Sequence, residues 1–184
     1  MTRYISILRG INVGGKRKIL MADLRELYQS LGFENIITYI QSGNVIFESK
    51  KKNANSIFTK KIKEAIFEKY GFDVPVIIRS VEEIKSIFET NPFLQKEGVQ
   101  VENLCVTFLS EIPTDENLEK INTYDYSPDL FQIIENNAFI FIEGKYHKSK
   151  LTNNFFEKKL KVSATTRNWK TVKKLLELSL HAPK

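Results

Sequence analysis

The sequence predicts an α+β protein made of two ferredoxin-like units, each an antiparallel sheet with helices packed on one face. Three observations carry this. Over residues 1–80, short β-rich apolar runs and helix-spaced runs follow the order β-α-β-β-α-β, which is the ferredoxin-like unit. After residue 104 the order returns as β-α-β-β-α. Between them lies a stretch that is polar towards its end, the best boundary in the chain. The expected organisation is a first unit over 1–80, a linking helix and loop over 81–103, and a second unit over 104–184 that closes with a C-terminal helix in place of its last strand.

Each element has a local reason. Tyr4–Leu8 is short and apolar with two isoleucines, hence a strand. Met21, Leu24, Leu27, Tyr28 and Leu31 fall at helical spacing, and Gly32 is placed to end that helix. Asn35–Ile40 and Val45–Phe47 flank Gln41-Ser42-Gly43-Asn44, a hairpin signal. Ile57, Phe58, Ile62, Ala65 and Ile66 mark a second helix that ends by Gly71. Val74–Ile78 is a fourth strand, and Pro75 within it argues for a sheet edge. Val81–Phe88 reads as a helix stopped by Asn91-Pro92. In the second half, Leu104–Leu109 is a strand and Thr114–Ile121 a short helix. Leu130–Ile134 and Phe139–Ile142 form a hairpin around Asn136-Asn137. Leu151, Phe155, Phe156 and Leu160 mark one helix, and Trp169, Val172, Leu175, Leu176 and Ser179 the last. Only the order of elements repeats; no residue-level repeat is visible.

With 184 residues and 42% hydrophobic content, the chain can bury roughly 70% of the surface its unfolded form exposes, enough for a packed core. The net charge of +6 is consistent with a nucleotide or nucleic-acid partner. Cys105, the single cysteine, lies in an apolar run and reads as a small core residue. No apolar run approaches the ~18 residues of a membrane span, and the N-terminal apolar segment is too short for a signal peptide. A cytoplasmic location without a membrane partner is the expectation.

Topology then places the loops. In a sheet of order 4-1-3-2 with antiparallel neighbours, strands one and two point the same way. The loop leaving strand one and the hairpin leaving strand two therefore open at the same end. These are Arg9–Lys18, with three glycines and four cations, and Gln41–Asn44. Glycines let a ligand approach backbone amides closely, and amides beside cations suit an anion, most often phosphate. The expected ligand-binding residues are Arg9, Asn12, Gly14, Gly15, Lys16, Gln41, Ser42 and Asn44. Arg9 and Lys16 would hold charge, and Asn12, Gln41, Ser42 and Asn44 would orient the ligand.

Ser163–Trp169 adds a third segment. Thr165 or Thr166 is a ready N-cap for the last helix. Arg167 and Lys170 would then stand in its first turn, where the helix dipole favours acids. Either a carboxylate elsewhere pairs with Arg167, or an anion sits at that helix end, held by Thr166, Arg167 and Asn168. Trp169 is in phase with Val172 and Leu176 and reads as a core anchor.

Other chemistries fit less well. Gly10-x4-Gly15-Lys16 matches a phosphate-binding P-loop up to its last position, where Arg17 replaces the Ser or Thr that would hold magnesium. An antiparallel sheet also contradicts that fold. An RNA-recognition surface would need strand aromatics, and only Tyr4 and Phe47 qualify. With His147 and His181 the only histidines and no cysteine cluster, no metal site and no cofactor are expected. Gly-x-Ser-x-Gly is absent. Lys50–Lys52 reads as a solvated turn. Lys145–Lys150 reads as solvated surface or a backbone-phosphate contact.

Four stretches together resemble a bacterial family known as domain of unknown function 1697. They are Leu8–Lys16, Tyr39–Val45, Ser149–Asn153 and Ala164–Trp169 with Thr171 and Val172. They span nearly the whole chain. The resemblance implies paired ferredoxin-like units and no assigned activity. The sequence therefore points to a binder of a phosphate-bearing ligand, a nucleotide or nucleic acid, at the glycine-rich basic corner. The alternative is an enzyme on a small phosphorylated or carboxylated substrate. The corner motifs contain no Asp, Glu or His, which tilts towards binding.

Overall fold

A computed structural model describes residues 1–52 and 54–181. By contact the chain divides into Met1–Ser86 with the stretch from Lys174 onward, and Ile87–Lys173.

The first unit contains β1 (Thr2–Leu8), α1 (Met21–Ser30), β2 (Glu34–Tyr39), β3 (Asn44–Ser49), α2 (Asn55–Tyr70) and β4 (Val76–Ser80), followed by α3 (Val81–Thr90), which starts in this unit. Its sheet has the order β2-β3-β1-β4, antiparallel throughout, as expected from the element order. Central β1 is apolar from Tyr4 onward, Ser6 apart, and this stretch is shielded from water: Tyr4, Ile5, Ile7 and Leu8 are all buried. Tyr4 and Phe47 face the helices, where they pack with Phe33 and Phe58. The Phe33 and Phe47 rings lie 4.3 Å apart, and Tyr4 meets Phe58 edge-on at 5.1 Å. The two aromatics that a base-stacking sheet would need are thus core residues. Ser6, the one hydroxyl in the buried stretch Tyr4–Leu8 apart from the Tyr4 phenol, is satisfied by Tyr28 Oη at 2.7 Å. Burial raises the pKa of that phenol, so the pair is a neutral hydrogen bond. Pro75 sits just before the edge strand β4, where its missing N–H costs nothing and its carbonyl accepts from Arg9 N at 3.0 Å. At the far end of β1, Arg3 donates to Glu48 and to the carbonyls of Ser179 and His181 at 2.6 and 2.8 Å. The Asn35 amide and the Arg3 guanidinium hold the Glu48 carboxyl below its ordinary range.

The second unit repeats the pattern with β5 (Leu104–Leu109), α4 (Asp115–Asn122), β6 (Leu130–Ile134), β7 (Asn137–Phe141), α5 (Asn153–Leu160) and β8 (Ala164–Asn168), followed by α6 (Trp169–Leu180), which starts in this unit. Its sheet order is β6-β7-β5-β8. Threonine hydroxyls cap α4 and α5: Thr114 accepts from Asn117 N and Thr152 from Phe155 N. Cys105 is buried in β5, and burial pushes its thiol pKa up to about 11, which leaves it an inert core residue.

One expectation is overturned. The second unit does not replace its last strand by a helix; the strand is present as β8, and α6 follows it. Ala164–Asn168 pairs with β5 in the register Val106↔Arg167 and Thr107↔Thr166. The cap of α6 is therefore not Thr165 or Thr166 but Asn168, whose Oδ1 accepts from Thr171 N at 2.8 Å. Asn168→Ala is expected to cost about 1 kcal/mol in denaturant unfolding, the usual loss for such a cap.

The corrected strand also brings a residue-level echo. In β4, Arg79 is followed by Ser80, which opens α3 by accepting from Glu83 N at 3.2 Å. In β8, Arg167 is followed by the capping Asn168. Each arginine donates to the carbonyl of the residue before it, Ile78 and Thr166, at 3.0 Å. Burial lowers both pKa values to about 10.

Candidate anion-binding corner

The loop between β1 and α1 is ordered by its own backbone. Lys16 N donates to Val13 O at 3.0 Å, and Asn12 N to Arg17 O at 3.2 Å. Residues 12–17 thus form a miniature hairpin. Its two central residues are Gly14 and Gly15, with φ of 57° and 74°. A two-residue hairpin turn of the primed type needs positive φ at both positions, which Gly-Gly supplies. This differs from a P-loop, in which the glycine loop runs directly into a helix. Here α1 begins only at Met21, five residues past Lys16. The Gly-Gly pair was legible as a turn signal in its own right.

The loop and the β2–β3 hairpin lie side by side, as the topology requires. Leu8 N donates to Gly43 O at 2.8 Å. Asn12 completes the junction: its Nδ2 donates to Gln41 O and Ile19 O, both at 2.9 Å, and its Oδ1 accepts from Ile19 N at 2.9 Å. One side chain thus ties the start of the loop to its end and to the neighbouring hairpin. To do so, Asn12 takes a left-handed backbone, φ 57°, which asparagine tolerates better than most residues. Asn44 is fully buried, and its amide donates to Tyr39 O at 3.1 Å and Ser42 Oγ at 3.0 Å.

The residues expected at the site therefore divide. Asn12, Ser42 and Asn44 are engaged in hydrogen bonds that shape the corner. Gly14, Gly15, Lys16 and Gln41 are exposed, and Arg9 is half-buried at the base. A Cβ at Gly10 would lie 3.2 Å from the Arg17 guanidinium, so Arg17 folds back across the base of the loop. Residues 9–20 and 40–44 carry four cations and no carboxylate. Missing from the sequence reading are the exposed aliphatic side chains Val13, Leu20 and Ile40 at this same end of the unit.

Thr166, Arg167 and Asn168 belong to the second unit and stand in β8. Thr166 Oγ1 pairs with Thr107 Oγ1 and with Asn153 Oδ1, each at 2.7 Å. Asn168 caps α6. Arg167 lies in a strand, so the helix-dipole argument for an anion beside it does not apply. The Tyr146 phenol opposes part of the burial effect on its guanidinium. Among the described residues, no group of three or more His, Cys, Asp or Glu could hold a metal, and no helix is long and apolar enough to cross a membrane.

A family model described as protein of unknown function (DUF1697) matches residues 1–139, three-quarters of the chain and the whole of the corner. The chain belongs to that family. The resembling stretches at Ser149–Asn153 and Ala164–Trp169 lie beyond the matched residues. Among solved structures, the fold is similar to a conserved bacterial protein from Streptococcus pneumoniae. That likeness has a TM-score of 0.75 and 27% identity, and covers 96% of this chain and 98% of that one. None of the curated proteins matches this chain.

Proposed function

We propose that this DUF1697 protein binds a phosphate-bearing ligand at the corner of its first unit, through Lys16, Arg9 and the amides of Gly14 and Gly15, with Gln41 beside them. One observation carries the reading. A Gly-Gly hairpin closed by its own backbone hydrogen bonds presents a cluster of cations with no carboxylate among them, and Asn12 ties that hairpin to its neighbour. A preorganised loop spends little conformational entropy on closing over a ligand. Repelling cations gathered on one short segment are stabilised by an anion. A Cβ at Gly14 or Gly15 would meet nothing within 4 Å, so the approach to those amides is open. The corner contains no histidine and no carboxylate, which favours binding over acid–base chemistry.

Inorganic phosphate tests this. At ten times its Kd, a ligand specific for the folded state adds about 1.4 kcal/mol. For a chain of this size that raises Tm by about 3–5 °C. Wild type is expected to show this shift over chloride of equal ionic strength, and Lys16→Ala to lose most of it. Equal shifts in both proteins, or none in wild type, would remove the reading.

A further inference from the structure

We infer that the loop end of the first unit docks on an anionic phospholipid surface, so that the phosphate-bearing ligand of the corner is a lipid headgroup. The inference rests on the corner reading above and adds the apolar side chains that reading leaves unused. The β1–α1 loop alternates its aliphatics inward and outward. Ile11 and Ile19 are buried at 1% and 2% exposure, whereas Val13 and Leu20 stand 64% and 70% exposed. Ile40, at the head of the β2–β3 hairpin, is 48% exposed. The Asn12 side chain holds Leu20 and Ile40 at one end of the unit by bridging Ile19 O and Gln41 O, their neighbours in the chain, and Val13 directly follows Asn12. Single exposed aliphatics are ordinary on a protein surface; three at one end, interleaved with Lys16, Arg17 and Lys18, are a patch that asks for an occupant.

Ile40 makes the case sharper. Its φ is 50°, in the left-handed region that a β-branched residue rarely enters. An asparagine or glycine would sit there with less strain and leave no apolar surface in water. Holding an isoleucine in this conformation is a double cost to the free protein, of the kind that collects at functional positions.

The chemistry selects among occupants. A single-stranded nucleic acid would offer bases for flat aromatic side chains to stack on, and a duplex would engage the cations through its phosphates but leave the aliphatic tips in water. The exposed apolar groups here are branched aliphatics. A protein partner would disfavour lysines set among the apolar contacts, since lysine is depleted from interface centres. Aliphatic tips ringed by lysine and arginine match the boundary of a bilayer, where acyl chains take the tips and headgroup phosphates take the cations. No span is needed for this. The expectation of no membrane partner came from the absence of one, and peripheral docking is a separate matter.

Sedimentation with vesicles tests it on the full chain. Vesicles of pure phosphatidylcholine are expected to leave the protein in solution. Vesicles with about a third phosphatidylserine are expected to carry it down, less so as salt rises. Lys16→Ala should weaken this about fivefold, the usual loss for one cation near an anionic surface. Ile40→Asn should weaken it by a similar factor while leaving Tm equal or higher, because asparagine accepts the left-handed backbone. Leu20→Ser with Ile40→Asn should abolish it. No sedimentation with phosphatidylserine vesicles would overturn the proposal, and so would sedimentation indifferent to both aliphatic substitutions. If inorganic phosphate raises Tm but the vesicles do not bind, the corner stands and the lipid assignment falls. Binding of an oligonucleotide in place of the vesicles would likewise overturn it.

Discussion

Gly43→Ala is expected to destabilise the protein by about 3 kcal/mol, while Gly14→Ala costs about 1 kcal/mol. Both glycines have positive φ, 83° and 57°, so both substitutions carry the left-handed penalty of roughly 1–2 kcal/mol. Their surroundings differ. A Cβ on Gly43 would stand 2.7 Å from Leu8 Cβ and 2.8 Å from Ile11 Cδ1. Leu8 is the last residue of β1, and Ile11 is a core residue, so neither can retreat freely. Forcing a methyl into such packing adds about 1–3 kcal/mol. Around Gly14 there is nothing within 4 Å to disturb. The difference between the two variants therefore measures the close approach of hairpin and loop, separated from backbone strain. Denaturant unfolding of the two proteins decides it. Equal losses would mean that the hairpin can back away from Leu8, and that the corner is looser than its hydrogen bonds imply. A loss of this size is a large share of the ~5–15 kcal/mol that stabilises a typical domain.

The neighbourhood of Gly43 and Leu8 was legible in the sequence, because it follows from element order alone. Once four strands alternate with two helices as β-α-β-β-α-β, strand direction puts both loops at one end, and the Leu8–Gly43 hydrogen bond reports it. β8 was not legible. Ala164-Thr-Thr-Arg-Asn168 is short and polar, and threonine serves equally as a strand residue and as a helix cap. What makes it a strand is distant in sequence: the β5 backbone, and Thr107, whose hydroxyl satisfies that of Thr166 at 2.7 Å. Thr165 is fully buried with no apolar signature to announce it. The Arg79 and Arg167 echo was hidden for the same reason, since it appears only when β4 and β8 are aligned as equivalent strands. In the corner, the cations and glycines were readable from composition. The division of labour was not, because whether an asparagine orients a ligand or a backbone depends on which carbonyls fold against it.

Asn12→Ala tests that division, and the expected loss is again about 3 kcal/mol. Three hydrogen bonds go with the side chain: to Ile19 O, to Gln41 O and from Ile19 N. Each is worth roughly 0.5–1.5 kcal/mol, with a further cost where a backbone group is left without a partner and shielded from water. Alanine must also hold the left-handed backbone at φ 57°, which costs about 1 kcal/mol more than asparagine. Asn12→Asp separates the contributions. It keeps the acceptor for Ile19 N but places a carboxylate against the two carbonyls, so it should be as damaging as alanine or worse. Asn12→Gly removes the backbone penalty and should recover about 1 kcal/mol of the alanine loss. If Asn12 instead oriented a ligand, Asn12→Ala would leave the melting temperature of the empty protein unchanged and lower only its response to phosphate. The arrangement of its amide predicts the reverse order. Stability falls first, and phosphate binding weakens as a consequence, because the hairpin that carries Gly14, Gly15 and Lys16 is no longer held to Gln41. Melts of wild type, Asn12→Ala and Asn12→Gly, each with and without phosphate, separate the two cases. In the framework case, Asn12→Gly recovers part of both the stability and the phosphate shift together.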